Sequence, residues 1–275
     1  MSANQFLLVV VAGFLIWMAV SRYKKFRRQR IASAPLNTGY VSILERNVGL
    51  YPSLPENLKM ALHRGINLFL FDKKFVGCDG QEINDEVRLT IAGNACLLVL
   101  AQTRPVYPSF KTVLVYPSTY GVTQKTHDGQ VVFDEHSARA GESWFRGPIV
   151  LSWSDVVRGS KNTANGQNVV IHEFAHKLDE ENGVMDGLPI LRDRSHYGEW
   201  SEVLSSEYDA FLKRVQRRRN KIIDEYGAVS AVEFFAVISE SFFEKPTRMK
   251  SDLPELYSQL RRFYGLDPAS WQEQD

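Results

Sequence analysis

The stretch VVIHEFAHKLD, residues 169–179, places His172 and His176 four positions apart, with Glu173 directly after the first. Residues at that spacing on a helix lie one turn apart on one face, so two imidazole nitrogens can reach one ion. Glu173 is turned about 100° from His172. Its carboxylate thus stays out of the ligand pair yet within reach of a water at the ion. Val169, Val170, Ile171, Phe174, Ala175 and Leu178 make the rest of the segment apolar. Ionisable side chains in such surroundings are costly unless compensated, and a bound cation compensates them. The chemistry indicated is metal-assisted hydrolysis, with Zn2+ as the ion and Glu173 as general base.

Catalytic zinc takes three protein ligands and keeps a fourth position open. The extended pattern HExxHxxGxxH does not apply, because this chain has Asp179 and Asn182 at its glycine and third histidine positions. The third ligand must come from a later element, and EYGAVSAVEFFAVISESFFEKP, residues 225–246, is the best source. There Glu233 and Glu240 are seven apart on one apolar helical face, and Pro246 marks the helix end. Glu233 is the first choice of ligand. It also sits three residues after Ser230, a capping-box spacing in which its carboxylate would return to a backbone N–H instead. Glu240 is an alternative ligand or an acceptor that orients an imidazole, a job Asp179 could share. Tyr226 could donate to a developing oxyanion or simply pack. His196 reads as a surface residue.

Several elements must position these groups. The pattern from Leu58 to Ile66 predicts a helix, and Asn84 to Leu100 a second, buried one. KTVLVYP (111–117), QVVFDE (130–135) and GPIVLSW (147–153) are short, β-branched and bounded by Pro or Gly, with 121–129 as a turn or loop. GPIVLSW is the candidate edge strand for extended substrate backbone. Apolar residues from Trp200 through Ile223 recur at three and four, predicting one long amphipathic helix up to Tyr226. Helices, then a small mixed or antiparallel sheet, then a mainly helical carboxyl-terminal half make an α+β fold. Residues 31–56 read as a loosely packed connector and 57–275 as the catalytic domain.

The first thirty residues are different. Phe6 to Val20 contains fifteen uncharged, mostly apolar residues, about enough with its flanks to span a bilayer. Six cations follow (Arg22, Lys24, Lys25, Arg27, Arg28, Arg30), and none precedes. That order suits an uncleaved single-pass anchor in the cell (inner) membrane with the body in the cytoplasm. The chain's net charge of +1 then leaves about −5 for the remainder, which argues against nucleic acid as a partner. Cys78 and Cys96 fit neither a disulfide framework nor a zinc knuckle and read as reduced thiols.

HEFAHKLD at 172–179 and EFFAVISESFF at 233–243 resemble the MtfA family of zinc-dependent peptidases, named for Mlc titration factor A. KFVG (74–77), VLVYPS (113–118), GPIVLSW and the YG at 226–227 extend the likeness from about Lys74 to Phe263. The resemblance implies a gluzincin-type, zincin-like fold with His172, His176 and Glu233 binding one Zn2+, Glu173 as catalytic base and Tyr226 assisting. It also implies peptide substrates and a sugar-uptake repressor as regulatory protein partner, although the amino-terminal anchor departs from the short cytosolic members. The competing reading is a protein-binding module with little turnover. For it the basic run Lys213, Arg214, Arg217, Arg218, Arg219 and Lys221 offers a face to an acidic partner or anionic lipid, or is simply solvated.

Overall fold

Residues 2–102, 107–118, 120–121, 138–139, 141–143, 147–220 and 222–274 are described by the structure, a computed structural model. The strand expected at 130–135, the turn at 121–129 beyond Gly121, and Lys221 of the basic run lie outside the described residues.

Three parallel strands form the heart of the sheet. Helix α1 (Ala3–Ala32), α2 (Thr38–Asn47) and α3 (Glu56–Asp72) lead into β1 (Lys74–Gly77). Helix α4 (Asp85–Leu97) then carries the chain across to β2 (Thr112–Tyr116), which pairs with β1 in parallel, Lys74 opposite Thr112. Two-residue strands β3 (Tyr120–Gly121) and β4 (Ala138–Arg139) pair separately. The short β5 (Gly141–Ser143) runs antiparallel to β6 (Ile149–Ser152), which is parallel to β2. The order is β1-β2-β6-β5. Of the mixed or antiparallel sheet expected, the antiparallel alternative is corrected: in this sheet only β5 runs antiparallel and the core is parallel, because α4 is a crossover helix and only a crossover returns a strand in the same direction. GPIVLSW is corrected too. Its strand β6 is interior, every residue of it buried, and β5 is the edge.

The rest is helical: α5 (Trp153–Lys161), α6 (Val169–Asp179), α7 (Tyr197–Gln216), α8 (Ala231–Glu244), α9 (Pro246–Asp252) and α10 (Pro254–Tyr264). Phe174 of α6 is fully buried against Phe69, Tyr107 and Phe110, with ring centroids 5.6, 4.8 and 5.7 Å away. Across α8, Phe234 meets Phe211, and Phe235 meets Trp200 and Phe263. Each such ring removes enough apolar surface from water to contribute about 1.5–3 kcal/mol.

Two further expectations differ from the structure. Residues 31–56 are not loosely packed, since α2 and the turn after it bury Leu44, Val48, Leu50, Tyr51 and Leu54 in the main core. The helix begun near Trp200 stops at Gln216 rather than Tyr226. Arg218 takes a left-handed φ of 53°, while Arg218 N–H and Arg219 N–H return to Val215 O and Arg214 O. That is a Schellman closure built on arginine, and it turns Ile222 and Ile223 back into the core. At the amino terminus, α1 is a single helix, by length and composition long and apolar enough to cross a membrane. Both cysteines are free thiols, Cys96 buried.

Candidate metal centre

Helix α6 starts where Asn168 caps it. The Asn168 side chain accepts from Val170 N–H and Ile171 N–H, both at 3.2 Å, and donates to Asn94 Oδ1 on α4 at 3.0 Å. Burial, not propensity, holds the β-branched first turn helical, since Val170 and Ile171 are fully buried. The spacing of four then sets His172 and His176 side by side, ring centroids 4.8 Å apart. Helix α8 packs across α6. Its cap is Ser230, whose hydroxyl accepts from Glu233 N–H at 3.2 Å. The Glu233 carboxylate does not reach back to complete a capping box. It points to the imidazoles, with Oε2 3.0 Å from His172 Nε2 and 3.4 Å from His176 Nε2, while the two Nε2 atoms are 3.2 Å apart.

Those three atoms fit a tetrahedral ion. Ligands at about 2.0–2.1 Å from a common centre stand about 3.3 Å apart. Glu240 explains the tautomer: its Oε1 lies 2.8 Å from His172 Nδ1, so that nitrogen donates and Nε2 is left with a lone pair. A lone pair on His172 facing a second imidazole and a carboxylate is an arrangement that only positive charge relieves. His172, His176 and Glu233 accordingly form a group that could hold a metal ion. Electrostatics say the same. Burial disfavours charge on His172, yet its bonds to Glu233 and Glu240 hold its pKa well above the ordinary value. Burial would likewise raise Glu233, but the two imidazoles hold its carboxyl well below the usual carboxylate range.

Around this group the structure sorts the other candidates. Glu173 is buried on α6, one position along from His172. Tyr226 lies on a 3-10 turn, Glu225–Ala228, ahead of α8, half-exposed with its ring centroid 5.9 Å from that of His172. Gly227 permits this: a Cβ there would lie 2.5 Å from Val237 Cγ2, so only glycine lets the turn sit on α8. Asp179 does not bond either imidazole. Its Oδ2 accepts from Gly187 N–H at 2.8 Å, and burial pushes its pKa up to about 6. His196 is on another 3-10 turn and outside the group.

Three supporting residues escaped the sequence reading. Asn168 was available as a capping residue ahead of an apolar run. Glu244, eleven after Glu233 on the same helical face, accepts from Gln167 N–H at 3.1 Å. Lys177 is fully buried, its Nζ 3.1 Å from Glu180 Oε1 and 3.2 Å from Gly147 O. A buried lysine at the end of an apolar helix carries no sequence signal for its partner.

Comparison with known proteins places the chain in a family. The chain is 38% identical over 265 residues to an uncharacterized protein of Synechocystis sp. strain PCC 6803, covering 95% of this chain and 96% of the relative. Mlc titration factor A of Cronobacter sakazakii is 32% identical over 231 residues, 80% of this chain and 84% of that protein. Mlc titration factor A of Escherichia coli O1:K1 is 34% identical over 204 residues, 73% and 76% respectively. A profile of one peptidase family matches residues 23–265, which include every residue of the His–His–Glu group. The chain belongs to the glucose-regulated metallo-peptidase M90 family.

Proposed function

We propose that the protein is a membrane-anchored zinc peptidase that hydrolyses peptide bonds of peptide or protein substrates in the cytoplasm. The observation that carries this is the convergence of His172 Nε2, His176 Nε2 and Glu233 Oε2 beside a buried Glu173. His172, His176 and Glu233 would hold the ion, and Glu240 would fix the first imidazole through Nδ1. When bound, zinc supplies Lewis acidity and lowers the pKa of water. Glu173 takes a proton from the attacking water and delivers it to the amide nitrogen as the C–N bond breaks. The Tyr226 hydroxyl, at the half-exposed side of the group, donates to the carbonyl oxygen as charge develops on it. Strand β5, which packs near α6 at the sheet edge, suits an extended peptide added as a further strand.

The test uses the full chain, stripped with chelator and reloaded with zinc, against a set of chromogenic peptide amides. Glu173→Gln is expected to keep stoichiometric zinc and lose at least about 100-fold in kcat. Retained turnover in that variant would reject the assignment. The name Mlc titration factor A, carried by relatives, favours one second reading: binding of a regulatory protein. Partner binding that survives chelation, with no amide cleaved by the loaded wild type, would select it.

A further inference from the structure

The carboxyl end of helix α1 and the start of the sheet are linked by geometry. Arg28 Nη1 bridges both oxygens of Asp72, at 2.8 and 2.7 Å, and Asn67 Nδ2 donates to Ala34 O at 2.8 Å. As the first segment advances from 28 to 34, α3 retreats from 72 to 67, so α1 and α3 run antiparallel. The carboxyl end of α3 therefore points back toward the apolar part of α1. Arg27 reinforces the joint, its guanidinium 5.0 Å above the Phe71 ring. No Gly or Pro interrupts residues 14–34, so the apolar segment passes into this clamp as one rod.

Strand β1 begins immediately after Asp72. Lys74 N–H bonds Lys111 O at 2.8 Å, and the register sets Lys74 beside Thr112 and Val113 beside Ile149. Because the three strands are parallel, their amino ends share one edge of the sheet, and at β1 that edge lies two residues after the Arg28–Asp72 clamp. Arg28 is seven residues past Ser21, which is about 10 Å of helix beyond the uncharged segment. The headgroup layer is about 5–7 Å deep on each side. That brings the sheet's amino edge to the outer boundary of the headgroups, within about one Debye length.

The chemistry of this edge suits such a neighbour. Lys74 and Lys111 are exposed and, among the described residues, in no ion pair. Asp72, the nearest acid in sequence, is already engaged by Arg28. Phe71 is 43% exposed, an aromatic ring at the level where rings favour the interface. Between the starts of β2 and β6, Lys111, Thr112, Gly147 and Pro148 line an open depression.

We infer that the amino-terminal edge of the parallel sheet, through Phe71, Lys74 and Lys111, is a docking surface for anionic phospholipid headgroups, holding the peptidase domain flat against its own membrane. This rests on the reading of α1 as a membrane anchor. The test labels surface amines of the full chain with a water-soluble acylating reagent and reads each lysine by mass spectrometry. Discs of phosphatidylcholine are compared with discs containing phosphatidylglycerol. The anionic lipid should slow labelling of Lys74 and Lys111 by roughly threefold or more and lose its effect in high salt. Phe71→Ser, at an exposed position, should restore labelling of Lys74 and Lys111 while Lys24 and Lys25 stay masked. Equal labelling in both discs overturns the docking surface, and so does equal masking by inorganic phosphate in phosphatidylcholine discs. Release of the chain from cell membranes by alkaline carbonate overturns the anchor and the inference with it, whereas retention with unmasked lysines overturns the docking surface alone.

Discussion

One carboxylate, that of Glu240, serves two elements. It accepts from His172 Nδ1 at 2.8 Å and also from the backbone N–H of Asn168, the cap of α6. Helix start and imidazole orientation are thereby fixed together. Glu240→Ala should lower zinc affinity about 10- to 100-fold, read by competition with a chromogenic chelator, and Glu240→Gln should recover part of it. Glu244, one turn on, is held differently. Burial and then the charge of Glu240 push its pKa up to about 8, against bonds from Asn168 and the backbone of Gln167 and Gly166. Lys245 also interacts with its charge. The folded state thus binds a proton that the unfolded chain has released, so this stability is complete below the ordinary glutamate pKa and is lost as pH rises through about 8. The loss across that window is on the order of 5 kcal/mol. Glu244→Gln should flatten the fall of Tm between about pH 5 and 8.5, followed by thermal melts.

At the scale of elements, the 3-10 turn bearing Tyr226 depends on its contact with α8. Gly227→Ala would press a methyl group onto Val237 and the Phe234 backbone. It should cost about 1–3 kcal/mol by denaturant melt and lower kcat by displacing the phenol. The helices that bring His172, His176 and Glu233 together were legible beforehand because their signals are local: a spacing of four for the histidines, and Glu233 on an apolar helical face. The capping role offered to Glu233 was half right, as the Ser230 hydroxyl does bond its N–H while the carboxylate goes elsewhere. Strand direction was not legible. KFVG is only four residues, with half-buried Phe75 and Val76 adjacent rather than alternating, so β1 gave no period-two pattern. Without it, α4 could not be seen as a crossover. The end of α7 was hidden as well, since the apolar spacing runs on through Ile222 although Arg218 breaks the helix.

For the whole molecule, Phe174 joins helix α6, which carries His172 and His176, to the aromatic cluster of Phe69, Tyr107 and Phe110. Phe174→Ala should destabilise by about 3–5 kcal/mol in a denaturant titration, and should loosen metal affinity with it. The position of Glu233 has a consequence for assembly. It lies 61 residues after His172, so an ion gripped by both acts as a staple across a long stretch of polypeptide. In a chain-entropy account, closing a loop of that length restricts the unfolded ensemble by about 4 kcal/mol. A nascent chain that ends before α8 displays both histidines without Glu233, so the complete His–His–Glu group can form only after α8 has been made.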